Sequence, residues 1–411
     1  MRFLLFHSID RFGKRKVHHQ MEYTQLDSQL ITASEEGDTA AIQQLLREGA
    51  SVKFKDEDGR TALMAATQKN QLEAVKILLE AGSDVNTSDN TQLTPFICAG
   101  ANGFHEILSQ MLGYGADLGK VNRFGGTALL PSSEKGYLKT VQRCLDAGIP
   151  VNHANNLGWS ALLESVILGN GGRLYSFMIE LLVHAGADPH LKDFDGKSSI
   201  DHAKELGQEK VYSILSGAFT EKDPFIQEVK ALYLEDRYEE AIAKLDEALK
   251  DKPDNTDVYF YRGYCLQELK RYEEALETFN RGLAIDANDL DFYFYTANCL
   301  RLMNRTEDGL TEYDKAVGLN PTETFYRYHK SNYLRELGRH AEAVEEMDRL
   351  LALQPNRYDF SFHKANSLRS LGKHELAIEA IEKAIAIHPD NPLYHKHKEQ
   401  SLKLLPKSTL T

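Results

Sequence analysis

Two fixed steps along the chain leave few folds open to it. Glycine recurs at Gly49, Gly82, Gly115 and Gly148, 33 residues apart each time, and again at Gly186 after 38. A hydroxyl residue keeps the same interval at Ser28, Thr61, Thr94, Thr127 and Ser160, then Ser198. From about residue 222 the step becomes 34, with Pro253, Pro321, Pro355 and Pro389 in register and Ala287 in the one slot that lacks proline. Constant steps of this size mark arrays whose units bury their apolar faces only against their neighbours.

Local chemistry turns these steps into helices. A Ser or Thr caps the start of a short helix, and Gly supplies the left-handed turn that ends the next. In the second unit Thr61-Ala-Leu-Met-Ala-Ala66 reads as an inner helix of small residues, and Leu72, Val75, Leu78 and Leu79 give the outer helix its apolar stripe. Six such units fit between about 25 and 217, the first and last as polar caps. In the later array proline cannot continue a helix and so separates the units. Gly263, Ala297, Ser331 and Ala365 are the small residues of its first helices, and Ala241, Ala275, Gly309, Ala343 and Ala377 those of its second helices. Small residues there let paired helices approach closely. Five units starting near 222, 256, 290, 324 and 358 are expected. Pro392–Leu405 would be a capping helix, with Leu393, Leu402 and Leu405 covering the last unit.

The 33-residue step, the Asp-Gly-x-Thr-Ala-Leu at 58–63 and the Gly-Ala-Asp loops resemble the ankyrin repeat. Asn122-Arg-Phe-Gly-Gly-Thr-Ala-Leu-Leu130, Leu157-Gly-Trp-Ser-Ala-Leu-Leu-Glu164 and Ile167-Leu-Gly-Asn-Gly-Gly172 look like stand-alone bacterial ankyrin proteins. The family's Thr-Pro-Leu-His appears here only as Thr-Ala-Leu-Met, Thr-Pro-Phe-Ile, Thr-Ala-Leu-Leu, Ser-Ala-Leu-Leu and Ser-Ser-Ile-Asp, so one local hydrogen-bond network is weakened. Arg237-Tyr-Glu-Glu-Ala-Ile-Ala-Lys and Arg271-Tyr-Glu-Glu-Ala-Leu-Glu resemble second helices of tetratricopeptide repeats. The expected fold is all-α: two tandem α-solenoids, residues 22–219 and 220–405. A basic tail at 1–21, disordered or absent, would precede them, and a short tail at 406–411 would follow. Only about five residues separate the arrays, too few for a free linker, so they are expected to abut.

Composition narrows the function. Net charge is −13, while residues 1–21 carry Arg2, Arg11, Lys14, Arg15 and Lys16 against only Asp10. The remainder is therefore strongly acidic, which argues against nucleic acid as a partner. Cys98, Cys144, Cys265 and Cys299 form no CxxC pair and no metal-type spacing, in keeping with a reducing, cytoplasmic setting. No apolar run reaches about 18 residues, so no membrane span is expected. Met1–Phe6 is shorter than a signal-peptide core, and Met21 offers a second start. No nucleophile stands with a plausible base, and no phosphate-cradling glycine loop follows a strand. His388, His395 and His397 read as a histidine-rich surface helix, Asp201-His202 as a helix start and Gly169–Gly172 as a turn. Neither cofactor, metal nor small-molecule substrate is expected, and the chain reads as a binding protein, not an enzyme.

Two surfaces are candidates for protein or peptide partners. In ankyrin arrays the loop tips and inner helices form the binding face; here those slots hold Leu93, Arg123, Phe124, Leu157, Trp159, Ile167 and Phe194. Large apolar groups on exposed tips are costly unless covered. In the later array, positions i, i+4 and i+7 of a first helix share one face, which the tetratricopeptide family uses as its groove. That face reads Phe294, Asn298, Arg301; Tyr328, Asn332, Arg335; and Phe362, Asn366, Arg369, with Phe260, Tyr264 and Gln267 in the second unit. Three arginines along a groove suit an extended acidic peptide or a terminal carboxylate. The alternative is that each pairs with a neighbouring acid such as Glu336 or Glu307. The function expected is an intracellular adaptor or scaffold with one partner surface per array; the alternative is a regulatory or inhibitory subunit covering one enzyme.

Overall fold

The computed structural model describes residues 25–219, 221 and 223–405. The basic tail, the second start at Met21 and the tail at 406–411 lie outside the described residues. Among the described residues the regular structure is helical, joined by turns and loops, with two isolated bridges, Ala154 with Ser160 and Lys192 with Ser198. It divides into two compact units: residues up to Ser165 with Glu180–Asp188, and Val166–Ile179 with residues from Pro189 on.

The first unit is built of helix pairs: α1 (25–36) with α2 (Thr39–Arg47), α3 (Ala62–Gln68) with α4 (Leu72–Glu80), α5 (Pro95–Asn102) with α6 (His105–Leu112), and α7 (Leu129–Glu134) with α8 (Leu138–Asp146). A fifth pair, α9 (Ala161–Ile167) and α10 (Arg173–His184), is shared with the second unit. Thr61 and Thr94 cap their helices through the side-chain oxygen, and Ser160 accepts from Leu163 N at 3.3 Å. Two of the expected caps differ. Ser28 lies inside α1, and the helix after Thr127 starts from Ala128 with no side-chain cap. The glycines at 49, 82, 115, 148 and 186 all take positive φ, between 77° and 98°, the conformation a residue with a Cβ disfavours. In the slots where the family carries histidine, Met64, Ile97, Leu130 and Leu163 are buried, so apolar contact replaces the missing hydrogen bonds. A bidentate asparagine links the loops: Asn86 donates to Gly115 O at 3.0 Å and accepts from Asp117 N at 2.8 Å, and Asn152 does the same to Gly186 and Asp188 at 3.1 and 2.8 Å.

The second unit holds one further short pair, α11 (Ser199–Glu205) and α12 (Glu209–Leu215), where Ser198 and Asp201 form a capping box. Five longer pairs follow: α13 (Pro224–Leu234) and α14 (Tyr238–Asp251); α15 (Thr256–Glu268) and α16 (Tyr272–Ile285); α17 (Asp291–Leu302) and α18 (Thr306–Leu319); α19 (Thr324–Glu336) and α20 (His340–Leu353); α21 (Tyr358–Ser370) and α22 (His374–Ile387). Each second helix ends two residues before the proline slot, including α16, whose slot holds Ala287. Asp286 there has φ −134°, beside −133° at Lys252 and −135° at Gln354 at their own helix ends, so the break does not depend on proline. The closing helix is α23 (Pro392–Leu402). Leu393, Tyr394 and His397 are buried on it, whereas Leu402 and Leu405 are only partly covered. The expected leucine cap is therefore a mixed aromatic and leucine cap.

One buried acid bears on the stability of the first unit. Glu164 accepts from Asn155 Nδ2 at 2.7 Å through Oε1, while its other oxygen is buried with no hydrogen-bond partner. Burial first, then the Glu134 carboxylate, holds the Glu164 carboxyl well above its usual range, against the Asn155 hydrogen bond. The folded chain thus keeps a proton that the unfolded chain releases near its ordinary value of about 4.3. The resulting stabilisation is full below that pH and is lost as pH rises through the folded-state value. Glu164→Gln removes the titration while keeping the hydrogen-bonding shape. Between about pH 5 and 8 the urea midpoint of the parent should fall relative to that of the variant. Fluorescence of Trp159, the only tryptophan, reads this directly.

Candidate functional site

The first helices of the long pairs bring a column of rings together within the second unit. Phe294 lies 5.0 Å from Phe325 between ring centroids and 5.1 Å from His329. Tyr328 stacks toward Phe360 at 5.9 Å, and Phe362 toward Tyr394 at 5.5 Å and His397 at 5.0 Å. The expectation that Phe260, Phe294, Tyr328 and Phe362 offer apolar area to a ligand is corrected here. All four are buried, because each ring packs on the rings of neighbouring helices.

Part of that cover comes from the chain's own Val166–Ile179. Tyr175 sits edge-on to Phe325 at 5.6 Å and 6.3 Å from Phe294, and its hydroxyl is 3.4 Å from His329 Nε2. Phe177 packs 6.1 Å from Tyr233 and 6.3 Å from Tyr261. Both rings are buried, and removing each from water stabilises the fold by about 2 kcal/mol. The polar anchor is Arg173. Its Nε donates to Asp257 at 2.5 Å, one terminal nitrogen to Asp289 at 2.8 Å and the other to Thr256 Oγ1 at 3.0 Å. Asp291 accepts from Arg173 N at 3.2 Å and from the Asn170 side chain. Burial pushes the Asp289 carboxyl up, Arg173 opposes this, and Asp291 adds to it. Gly172 is there because a Cβ would stand 2.2 Å from an Asp291 oxygen. Gly169–Gly172, read above only as a turn, thus carries a recognition element within its own chain. The double glycine directly before an arginine was the sequence signal for it.

Apart from Tyr233 near the C-terminal end of α13, these contacts fall on or just before the N-terminal halves of α15, α17 and α19. The arginine row lies in the last turns of α17, α19 and α21. Arg335 donates to His363 Nδ1 at 2.6 Å and to the Asn332 side-chain oxygen; Arg369 donates to Gln400 at 2.5 Å and to Asn366 Oδ1 at 3.3 Å. Glu307 is taken by Arg339 at 2.6 Å, so it does not neutralise Arg335. Burial with no opposing acid lowers the Arg369 pKa, and burial together with the Arg335 charge lowers that of His340. Asn298, Asn332 and Asn366 are buried; Asn366 is 7 % exposed and its Nδ2 has no hydrogen-bond partner. His363 and Gln400, which join the arginines to the next helix, were not legible from spacing. Arg301 is half-buried in the equivalent place.

The ankyrin-type tips divide. Leu157 and Trp159, expected on exposed tips, are 7 % and 3 % exposed. Asn155 Oδ1 accepts from both backbone N–H groups, at 2.8 and 3.1 Å, closing a turn that enters α9 through a continuous buried run. Arg123 is exposed, its guanidinium 4.7 Å over the half-buried Phe124 ring, and Leu93 is half-buried. Ile167 lines a cavity of about 80 Å³ with Glu323, Phe325 and Phe360, so it too is no open tip. Phe194 is 57 % exposed, 6.2 Å from the His388 ring. His388 faces Asp195 at 3.3 Å, His395 the Pro389 carbonyl at 2.5 Å, and His202 lies 2.6 Å from Asp193. Among the described residues no cluster of His, Cys, Asp and Glu is arranged to hold a metal ion. No described helix is long and apolar enough to cross a membrane.

Comparison with known protein families agrees with this architecture. The ankyrin repeats family (three copies) matches residues 30–122 and 96–193, and two tetratricopeptide repeat families match 232–299 and 328–392. Among curated proteins none matches the chain. Among solved structures, an ankyrin repeat domain from Acinetobacter baumannii is 45% identical over 46% of this chain and 96% of its own, with a TM-score of 0.45. The ankyrin repeat protein EF0377 is 35% identical over 46% and 96%, TM-score 0.44. A chain from a complex of a predatory endopeptidase of Bdellovibrio bacteriovorus with an immunity protein is 27% identical over 46% and 97%, TM-score 0.41.

Truncating Arg173 leaves three clustered carboxylates without their shared cation. Arg173→Ala should therefore cost about 3 kcal/mol of local stability. Hydrogen exchange measured by mass spectrometry should show faster exchange across 166–179, with the helices around α22 unchanged. Unaltered exchange would mean that Tyr175 and Phe177 hold the segment by themselves.

Proposed function

Because the chain belongs to the ankyrin-repeat family and carries a tetratricopeptide array behind it, we propose that it is an adaptor that captures an acidic peptide on the arginine row of the second unit. Both repeat families are generic protein–protein interaction modules. The observation that carries the finer reading is the pairing of the arginines. Arg237, Arg271, Arg305 and Arg339 each reach an acid on their own helix within 2.7 Å, and Arg262, Arg327 and Arg357 are paired as well. Arg335 and Arg369 instead hold neutral asparagine, histidine and glutamine side chains. In a chain of net charge −13, two partly buried guanidinium groups without a carboxylate favour one supplied from outside. The Asn366 amide nitrogen adds a donor for a peptide carbonyl. Among the ankyrin-type tips, Leu93, Arg123, Phe124 and the exposed Phe194 are the remaining candidates for a second partner surface.

A glutamate-rich hexapeptide with a free C-terminus is a suitable probe. At low salt the Arg335→Ala, Arg369→Ala variant should bind it about tenfold or more weakly than the parent, and with a flatter salt dependence. Isothermal titration at two salt concentrations measures both. Equal affinity at low salt would reject the arginine row as the peptide site.

A further inference from the structure

A cation–carboxylate rung joins each of α15, α19, α21 and α23 to the second helix before it. Arg262 meets Asp246 at 2.6 Å, Lys330 meets Asp314 at 2.6 Å, Lys364 meets Asp348 at 2.5 Å, and Lys398 on α23 meets Glu382 at 2.7 Å. The residues follow the 34-residue step. One rung is missing. Where the step calls for a cation on α17 and an acid on α16, the chain has Thr296 and Asn280.

At that place an open groove of about 850 Å³ lies between α16 and α18, with Thr296 and Leu300 of α17 in its lining. Its walls carry Glu273, Glu274, Glu277, Asp308 and Glu312 against three cations, and Glu274 is also held by Arg271 at the start of α16, at 2.5 Å. Those cations, Arg281, Arg305 and Lys315, are exposed and pair along their own helices at 2.6–2.7 Å. Such surface pairs are weak and readily rearranged. A second, independent feature is the Thr296 hydroxyl. The residue is 4 % exposed, and its oxygen is buried with no hydrogen-bond partner.

We propose that this groove receives a lysine side chain from a partner protein, whose ammonium takes the place of the missing rung. The three lysine rungs at 330, 364 and 398 place an ammonium at the equivalent register position, so the geometry suits that group. Thr296 Oγ1 and the Asn280 side-chain oxygen can each accept one of its hydrogens, and Glu273, held by Arg305 only at 3.9 Å, together with carboxylates released from their weak surface pairs, supplies the charge. The aliphatic stem would lie along Leu276, Ala284 and Leu300. This site is separate from the arginine row and opposite in charge preference, so either can fail without the other.

The test is to complete the rung. Fluorescence anisotropy of a labelled, end-capped hexalysine peptide is measured with the full chain and with the Thr296→Lys, Asn280→Asp variant. The variant should bind about tenfold more weakly, with unchanged helical circular dichroism and an equal or higher melting temperature. Glu247→Gln, outside the groove, should change affinity less than about twofold. Should the double variant fail to fold, Glu277→Gln with Glu312→Gln should lower affinity by about threefold or more. Equal binding by parent and groove variants, an equal loss with Glu247→Gln, or no binding by the parent would each overturn the proposal.

Discussion

A helix pair of this size cannot hide its own apolar face, and everything else in the molecule depends on how the next layer covers it. In the first unit the cover is the following repeat, with Met64, Ile97 and Leu130 buried at equivalent inner positions and bidentate Asn86 and Asn152 spacing the loops. In the second unit stacking is again the rule, but two surfaces are closed by other means. Tyr394 and His397 of α23 close the last pair, and Tyr175 and Phe177 cover rings on α13, α15, α17 and α19. The single guanidinium of Arg173 then holds that segment among Asp257, Asp289 and Asp291.

Repetition also makes charge informative. When equivalent positions carry equivalent pairs, a position that departs from the pattern is a local choice and not a requirement of the fold. The rungs from Arg262 to Lys398 tie helices together; Thr296 and Asn280 give up that tie and leave a groove in its place. Arg237, Arg271, Arg305 and Arg339 are neutralised on their own helices, whereas Arg335 and Arg369 are bonded to uncharged side chains. Both departures sit on regular helices, where the backbone holds the side chains in place before any ligand arrives.

The two periods, the left-handed glycines and the Thr61 and Thr94 caps were legible in the sequence. They follow from backbone sterics and local hydrogen bonds, which involve residues a few positions apart. The helix break at Ala287 was also legible, by register alone, although no proline enforces it. The exposure of a side chain was not. Trp159 and Leu157 occupy tip positions by spacing yet are buried, and Phe294 and Tyr328 occupy a groove face yet are covered. Likewise Gly172 could be read as a turn, but its contact with Asp291 spans more than a hundred residues of sequence. Period and turn chemistry, being local, were thus determined by the sequence itself. Which faces stayed open, which acids met Arg173 and which arginines lacked an acid were decided only by the tertiary structure, because burial and charge pairing depend on groups that the chain brings together from far apart.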